Sequence, residues 1–550
     1  MSIRRIPRPT ASDLVAGLST AALLVPQSMA YAMLAGLPPE FGLRAATLPL
    51  LAFAMLGGVA VVALGPTALS AALFGAGIVS LLQDGLGLPQ AVFALTAAVG
   101  TLQVVVALLR GGFLVNFLSA PVVNGFATAA GIVIFVGQLF PFFALPKPVT
   151  GASLFERIVV LVSRIGDLSM ASVLLGAVVI VLVLLGPRWR ARLPWPFLGL
   201  VVATVVAAIL DLPVATVGEV VSVWPVPTAF LPGWSDVGTA LAGAAPIVLI
   251  GFLELMTVQQ RYDPCRTNVE GRATRTFSAL GGANLAAALG GGMVVGSGLS
   301  RSAFFVFSGA RTRWATVFTG LSVLFLSLLA VPVLQRLPVV ALAALIIVAA
   351  VSLIDLRYLS WLWRVRRGDA VLWLITAAAT LVLGVQIGIL AGIGASLLWF
   401  IVRTTHPHTA VLGRLPGTRD YRNIRNHPDA ETFPGILLLR MDAQFYFGNV
   451  SFLRDRLEAE LRAADEPIHT VVIEAASMNQ LDATAAAALL ELVQEFNGRG
   501  VELAFANVKR PVRDVMDKAG ITNAIGAERI YLNVEDAVRD ALQRMGERGT

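Results

Sequence analysis

From residue 14 to residue 402 the chain is a succession of apolar runs separated by short polar punctuation. The runs fall at 14–34, 43–64, 66–82, 90–109, 117–140, 169–186, 196–210, 237–258, 278–294, 299–309, 314–334, 338–354, 369–384 and 386–402. At 1.5 Å per residue, about 20 residues cross the ~30 Å of hydrocarbon in a bilayer, so most runs predict transmembrane helices and several are too short to cross alone. A stretch such as Ala171–Leu185 followed by Leu198–Leu210 would aggregate in water. In lipid it is stable as a helix pair, because helices satisfy their own backbone groups. Past Phe433 the pattern changes to that of an alternating α/β domain. Gly435–Tyr446, Thr470–Glu474 and Val501–Ala506 read as strands, and Val450–Ala463, Ala483–Phe496, Pro511–Lys518 and Val534–Met545 as helices. The pattern predicts an α-helical polytopic membrane domain with about 14 spans and a C-terminal α/β domain.

Composition agrees with that division. Of 550 residues, 57% are hydrophobic and 14% charged, and the mean hydropathy is +0.78, far from the balance of a soluble chain. The net charge of +7 does not mark a nucleic-acid binder, because the basic residues are not interleaved with aromatics. They cluster between spans: Arg4, Arg5 and Arg8; Arg110; Arg188, Arg190 and Arg192; Arg261, Arg266, Arg272 and Arg275; Arg311 and Arg313; Arg364, Arg366 and Arg367. Threading the runs with the N-terminus inside puts all of these on one face and leaves Lys147, Arg157 and Arg336 on the other. The positive-inside rule then places both termini in the cytoplasm of a cell inner (plasma) membrane. The first run continues through Pro26 into Gly36–Pro39, so it reads as a retained span rather than a cleaved leader. The lone Cys265 forms no intrachain disulfide, and His406, His408, His427 and His469 lie outside the membrane runs without metal-ligand spacing. No Gly-Lys-Ser/Thr phosphate loop is present, so neither ATP drive nor a bound metal is expected, and the chain is not read as an enzyme.

The short runs carry the chemistry. Leu64-Gly65-Pro66-Thr67-Ala68-Leu69-Ser70 opens the third run, and Gly290–Gly292 through Gly296-Ser297-Gly298-Leu299-Ser300-Arg301-Ser302 opens the tenth. Each is third within its half of seven, and paired interrupted segments point to an inverted-repeat transporter with a midplane site. A helix that starts at midplane exposes unpaired N–H groups and about half a positive charge, which suits an anion. Ser70, Ser297, Gly298, Leu299 and Ser300 would supply backbone and hydroxyl donors, and Arg301 a fixed charge. Arg301 is also placed to form a salt bridge with Glu254, the one carboxylate between Val237 and Val258. Intramembrane charges are retained only with a partner or a function. Burial favours the neutral acid, so Glu254 reads as a proton carrier for symport. Gln27 and Tyr31, four apart and therefore on one helix face, can donate an amide and a phenol to an oxyanion.

These motifs resemble the SulP anion-transporter family, the bacterial counterpart of solute carrier family 26. The resemblance rests on Asp13–Leu18, Val25–Ala32 and Leu34–Pro39 in the first span, and on Asn284, Gly296–Ser302 and Ser308–Thr312 around the tenth. Val471–Glu474, Leu481–Thr484 and Gly500–Asn507 resemble a STAS domain, the anti-sigma-factor-antagonist fold. The resemblance implies seven-plus-seven inverted repeats in residues 1–405, with a core of spans 1–4 and 8–11 and a gate of spans 5–7 and 12–14. A linker at 406–434 and a cytoplasmic STAS domain at 435–550 would follow. It also implies a homodimer, elevator-like movement of the core, and placement of Gln27 and Tyr31 against the substrate. Arg44 departs from the family, which usually has an aromatic there; it reads as a solvated loop charge or as an aid to attracting anions. Some relatives bind Na+ at the Glu254 position with a hydroxyl one turn on, but here Val258 stands at that place and Thr257 one residue earlier, which favours H+ over Na+. In the tail, Asp482-Ala483-Thr484-Ala485 lacks the first Ser and the Gly of the phosphorylatable turn. Asp482 therefore reads as a helix N-cap, and a cytoplasmic protein partner of the domain stays open.

The expected function is secondary active transport of an oxyanion or carboxylate (sulfate, bicarbonate or a C4-dicarboxylate such as fumarate), with proton-coupled symport favoured. An uncoupled anion channel or exchanger, or sodium-coupled bicarbonate uptake, is the alternative.

Overall fold

The computed structural model describes residues 8–109, 119–146, 153–190, 193–219, 224–226, 233–262 and 269–548. Arg4, Arg5, Arg110, Lys147, Arg192, Cys265 and Arg266 lie outside them, as does the Arg272 side chain. The chain divides into two compact units between Ser396 and Leu397.

A helix occupies each expected apolar run, the last of them, Val385–Thr405, running across the boundary between the units. Among the described residues, seven helices are long and apolar enough to cross a membrane. The first, Ala11–Leu34, starts with a reciprocal cap: Asp13 N–H donates to Thr10 Oγ1 at 3.2 Å, and Thr10 N–H to Asp13 Oδ2 at 3.1 Å. Asp13 is fully buried, and its carboxylate also accepts from the N–H groups of Arg311 and Thr312, both at 2.9 Å. That clamp fixes the entrance of the first helix to the turn ahead of Arg313–Leu329.

The helices pack in two groups. Ala11–Leu34 lies on Arg313–Leu329, Ala68–Gln83 and Leu88–Leu108 on Trp234–Tyr262, and Leu88–Leu108 also on Val269–Leu289. In the second group Ala120–Phe142 packs on Val339–Val351 and Arg367–Leu383, while Met170–Trp189 packs on Trp195–Ile209 and Val339–Val351; the groups meet where Ala11–Leu34 touches Val339–Val351. Two members of the first group are short for a membrane crossing: Leu48–Leu56 and Leu299–Phe307 have nine residues each.

The second unit is a six-stranded sheet in the order Tyr421–Asn423, Thr409–Arg414, Ile436–Met441, Thr470–Glu474, Glu502–Ala506, Ile530–Tyr531. The first three strands pair antiparallel and the last four parallel. Alternation sorts the sheet's two faces: Leu437, Leu439, Val471, Ile473 and Phe505 face Leu457, Leu489 and Phe496, while Leu438, Val472 and Ala504 face Val534 and Val538. The expected linker at 406–434 is corrected here, because it supplies two strands of the sheet. The turn at Pro416 and Gly417 (φ +71°) reverses the chain between them. Asp482 caps Ala483–Gly498 through Ala485 N–H at 2.7 Å.

Candidate functional site

Two extended segments meet where the helices of the third and tenth runs begin. Leu64–Gly65 pairs antiparallel with Gly296–Ser297, with Leu64 opposite Ser297 and Gly65 opposite Gly296. Each strand leads into a helix, Ala68–Gln83 in one half of the unit and Leu299–Phe307 in the other. An antiparallel ribbon sends its two exits in opposite directions, so both helix N-termini converge on it. Gly65 takes φ +151°, a backbone conformation that side-chain-bearing residues rarely adopt, and a Cβ there would also press on Leu24 Cδ1 at 2.5 Å.

The two helix starts are finished differently. Thr67 is the N-cap of Ala68–Gln83, accepting from Ser70 N–H at 3.3 Å. Its counterpart Gly298 caps Leu299–Phe307 with no side chain, which leaves that start open to an anionic ligand. At the third helical position Ser70 in one half corresponds to Arg301 in the other. Ser297 Oγ is buried and, among the described residues, has no hydrogen-bond partner. Leu299 and Ser300 lie on the exposed side of the start, whereas Ser70 is buried.

Glu254, from Trp234–Tyr262, reaches the ribbon. Thr67 Oγ1 donates to its Oε1 at 3.0 Å and Oε2 at 3.3 Å. A Cβ on Gly296 would stand 2.7 Å from Glu254 Oε2, 3.3 Å from Thr67 Cγ2 and 3.5 Å from Ser70 Oγ. Glycine at 296 is therefore what lets the carboxylate lie against the ribbon. Arg301 is 3% exposed and donates to three carbonyls of the opposite segment: Nε to Ala63 at 3.3 Å, Nη1 to Pro66 at 3.1 Å, Nη2 to Gly65 at 3.0 Å. Among the described residues no ion pair joins it to Glu254. It ties the tenth-run helix to the segment before the third-run helix and adds a positive charge inside the site. Two of a guanidinium's five N–H groups remain for other acceptors. Gln27 and Tyr31 are half-buried on one face of the first helix.

Four residues take roles that the sequence reading had not assigned. Thr67 was quoted only as part of its motif, yet it holds Glu254. Gln103 is buried and accepts from Asn284 Nδ2 through Oε1 at 2.8 Å. Asn284 also donates to Val295 O at 3.1 Å and accepts from Val295 N–H at 2.7 Å, bracing the approach to the ribbon. Ser302 Oγ accepts from Ala63 N–H at 3.1 Å. An isolated polar residue in an apolar run is the available signal for Gln103; Thr67 gives none beyond its place before a helix.

In the second unit the carboxyl ends of the parallel strands frame a polar cavity of about 600 Å³, lined in part by Arg440, Asp442, Glu474, Asn507 and Arg539. Its acids are largely engaged internally. Asp442 is bound by Arg440 and His408; burial pushes its carboxyl up, but those two donors outweigh burial and hold it below the ordinary range. Glu474 accepts from Ala476 N–H and Asn507 Nδ2.

Comparison with known proteins follows the same division. The sulfate permease family matches residues 11–376, and the STAS domain matches 427–537. "Sulfate transporter 4.1, chloroplastic" of Arabidopsis thaliana is 32% identical over 549 residues, covering 94% of this chain and 78% of that protein. "Probable sulfate transporter Rv1739c" of Mycobacterium tuberculosis is 32% identical over 524 residues, covering 94% of this chain and 92% of that one. Among solved structures, the murine Slc26a9 anion transporter in its inward-facing state superposes with a TM-score of 0.87 at 23% identity, over 99% of this chain and 92% of that one. The transmembrane domain of the cyanobacterial bicarbonate transporter BicA gives 0.60 at 21% identity, over 70% and 97%. These two likenesses establish the fold.

Proposed function

The chain belongs to the sulfate permease family, and from that membership we propose that it is a secondary transporter carrying a small oxyanion, sulfate foremost, in symport with a proton. The relatives named as sulfate transporters support the choice of substrate. Support for the proton comes from one observation: the Glu254 carboxylate lies in the same small space as the helix starts that would hold the anion. A carboxylate there repels an anion, and protonation removes the repulsion, so proton and anion favour each other's binding. Sodium is the weaker reading. Thr257 lies on the exposed side of its helix, its hydroxyl turned back to Leu253 O at 2.8 Å, and Val258 offers no ligand. The helix groups containing the two short helices on one side, and Ala120–Phe142 with Val339–Val351 on the other, would be the core and gate of an elevator-like cycle. By resemblance the protein works as a homodimer, with both termini cytoplasmic.

The test is uptake of labelled sulfate into proteoliposomes with imposed pH, sodium and voltage gradients. Acceleration by an inward proton gradient without sodium, lost in Glu254→Gln, supports the reading. Uptake that follows voltage alone would replace it with a channel, and a strict sodium requirement with sodium symport.

A further inference from the structure

One oxygen serves both partners of the site. Thr67 Oγ1 donates to the Glu254 carboxylate and accepts from Ser70 N–H at the start of the helix. A hydroxyl has one proton to give and two lone pairs. While Glu254 is ionised it is acceptor-only, so the Thr67 proton is committed to it. A protonated Glu254 has an O–H of its own, which can donate to the second lone pair of Thr67 Oγ1; the first is already held by Ser70 N–H. The Thr67 O–H is then released. Thr67 stands beside the ribbon at the helix start, where its Cγ2, Ser70 Oγ and Glu254 Oε2 all lie within 3.5 Å of the point that a Cβ on Gly296 would take.

We propose that Thr67 is a proton-controlled donor to the transported anion: protonation of Glu254 reverses the Thr67–Glu254 hydrogen bond and turns the Thr67 hydroxyl onto the substrate. The proposal rests on the proton-symport reading above and supplies its coupling device. One H+ enters from water and resides on Glu254; the Thr67 proton is reoriented and never transferred. When Glu254 returns its H+ to the far side, the bond reverts and the anion loses a donor. The other groups that face Glu254 are Arg301, engaged with three backbone carbonyls, and the Tyr31 phenol from the first helix. The second half of the unit has Gly298 at the corresponding cap, so the device exists once per chain.

The experiment compares the sulfate KM as a function of pH in proteoliposomes for wild type, Thr67→Val, Thr67→Ala, Thr67→Ser and Glu254→Gln, each checked for folding by size-exclusion profile. In wild type the KM falls as pH falls, by about tenfold or more, the size carried by a donor to a charged group. Thr67→Val and Thr67→Ala lose most of that slope, and Thr67→Ser restores it. Thr67→Ala decides the matter if the branched valine does not fold. A uniform KM increase with the wild-type slope intact would mean that Thr67 only caps its helix, and would overturn the proposal, as would failure of Thr67→Ser to restore the slope. The two ideas fail separately. If Glu254→Gln keeps the wild-type pH response, proton symport through Glu254 is wrong; if Glu254→Gln loses it while Thr67→Val keeps it, only the Thr67 assignment falls.

Discussion

Gly296→Ala isolates the contact between ribbon and carboxylate. Residue 296 is not among those with positive φ, so alanine is excluded by space and not by backbone conformation. Its Cβ would meet Glu254 Oε2 at 2.7 Å, where ordinary contact begins at 3.4 Å. The obstructing atom is the far end of a flexible side chain, so the carboxylate swings aside and the fold survives with little loss. What is lost is the 3.0 Å hydrogen bond from Thr67. A hydrogen bond to a charged group contributes about 1.5–3 kcal/mol, and at about 1.4 kcal/mol per decade that corresponds to a 10- to 100-fold fall in proton-driven uptake. The neighbouring Gly298→Ala, at the anion-facing helix start, is the control for pH dependence alone: its Cβ meets Arg301 Nη2 at 3.4 Å and touches neither Glu254 nor Thr67 among its nearest atoms. Initial rates of sulfate uptake across a pH series, with melting temperature in detergent, separate the two. Wild-type uptake and pH profile in Gly296→Ala would refute the geometry, and so would an equal loss of pH dependence in Gly298→Ala.

Arg301→Lys should fail to replace arginine, because the three carbonyls are met by three separate nitrogens of a planar fork and an ammonium's three N–H groups all radiate from one. Both uptake and melting temperature should drop, and wild-type values of both would contradict the role in tying the two segments together. Asn284→Ala leaves Val295 N–H and Gln103 Oε1 without the partner each has now, at about 1–3 kcal/mol for each buried group. A clear loss of thermal stability is expected, and an unchanged melting curve would argue against the brace.

Much of this was legible in the sequence, for identifiable physical reasons. Apolar run length reflects bilayer thickness and is readable locally. Glu254 stood out because a carboxylate in an apolar run is costly, and the glycine-rich openings of the third and tenth runs stood out as breaks in helix periodicity. The ribbon did not stand out. It joins Leu64 to Ser297, far apart in the chain, through backbone groups that every residue carries. The same holds for Arg301, whose described partners are carbonyls with no side-chain identity to read. Thr67 looked like an ordinary cap because its second bond goes to a residue nearly two hundred positions away. Tyr421–Asn423 was missed because it is short and polar, and Thr409–Arg414 because its apolar Ala410, Val411 and Leu412 are flanked by histidines on one side and a Pro-Gly turn on the other, which read as linker.

Charge at the site constrains which anions should draw a proton with them. Moving uncompensated charge through the bilayer is expensive, so the loaded site should lie near neutrality. The arginine contributes one positive charge and the two helix starts about half each, together enough for a dianion when Glu254 carries its proton. With Glu254 ionised, the same site suits a monoanion. Divalent substrates should therefore gain most from protonation of Glu254, and monovalent ones such as bicarbonate should gain less, because the repulsion relieved scales with the charge on the anion. Competition against labelled sulfate across a pH series, with sulfate, fumarate, bicarbonate and nitrate as unlabelled competitors, measures this directly. If monovalent anions gain as much from acid pH as dianions do, the proton acts elsewhere than in balancing charge beside the ribbon.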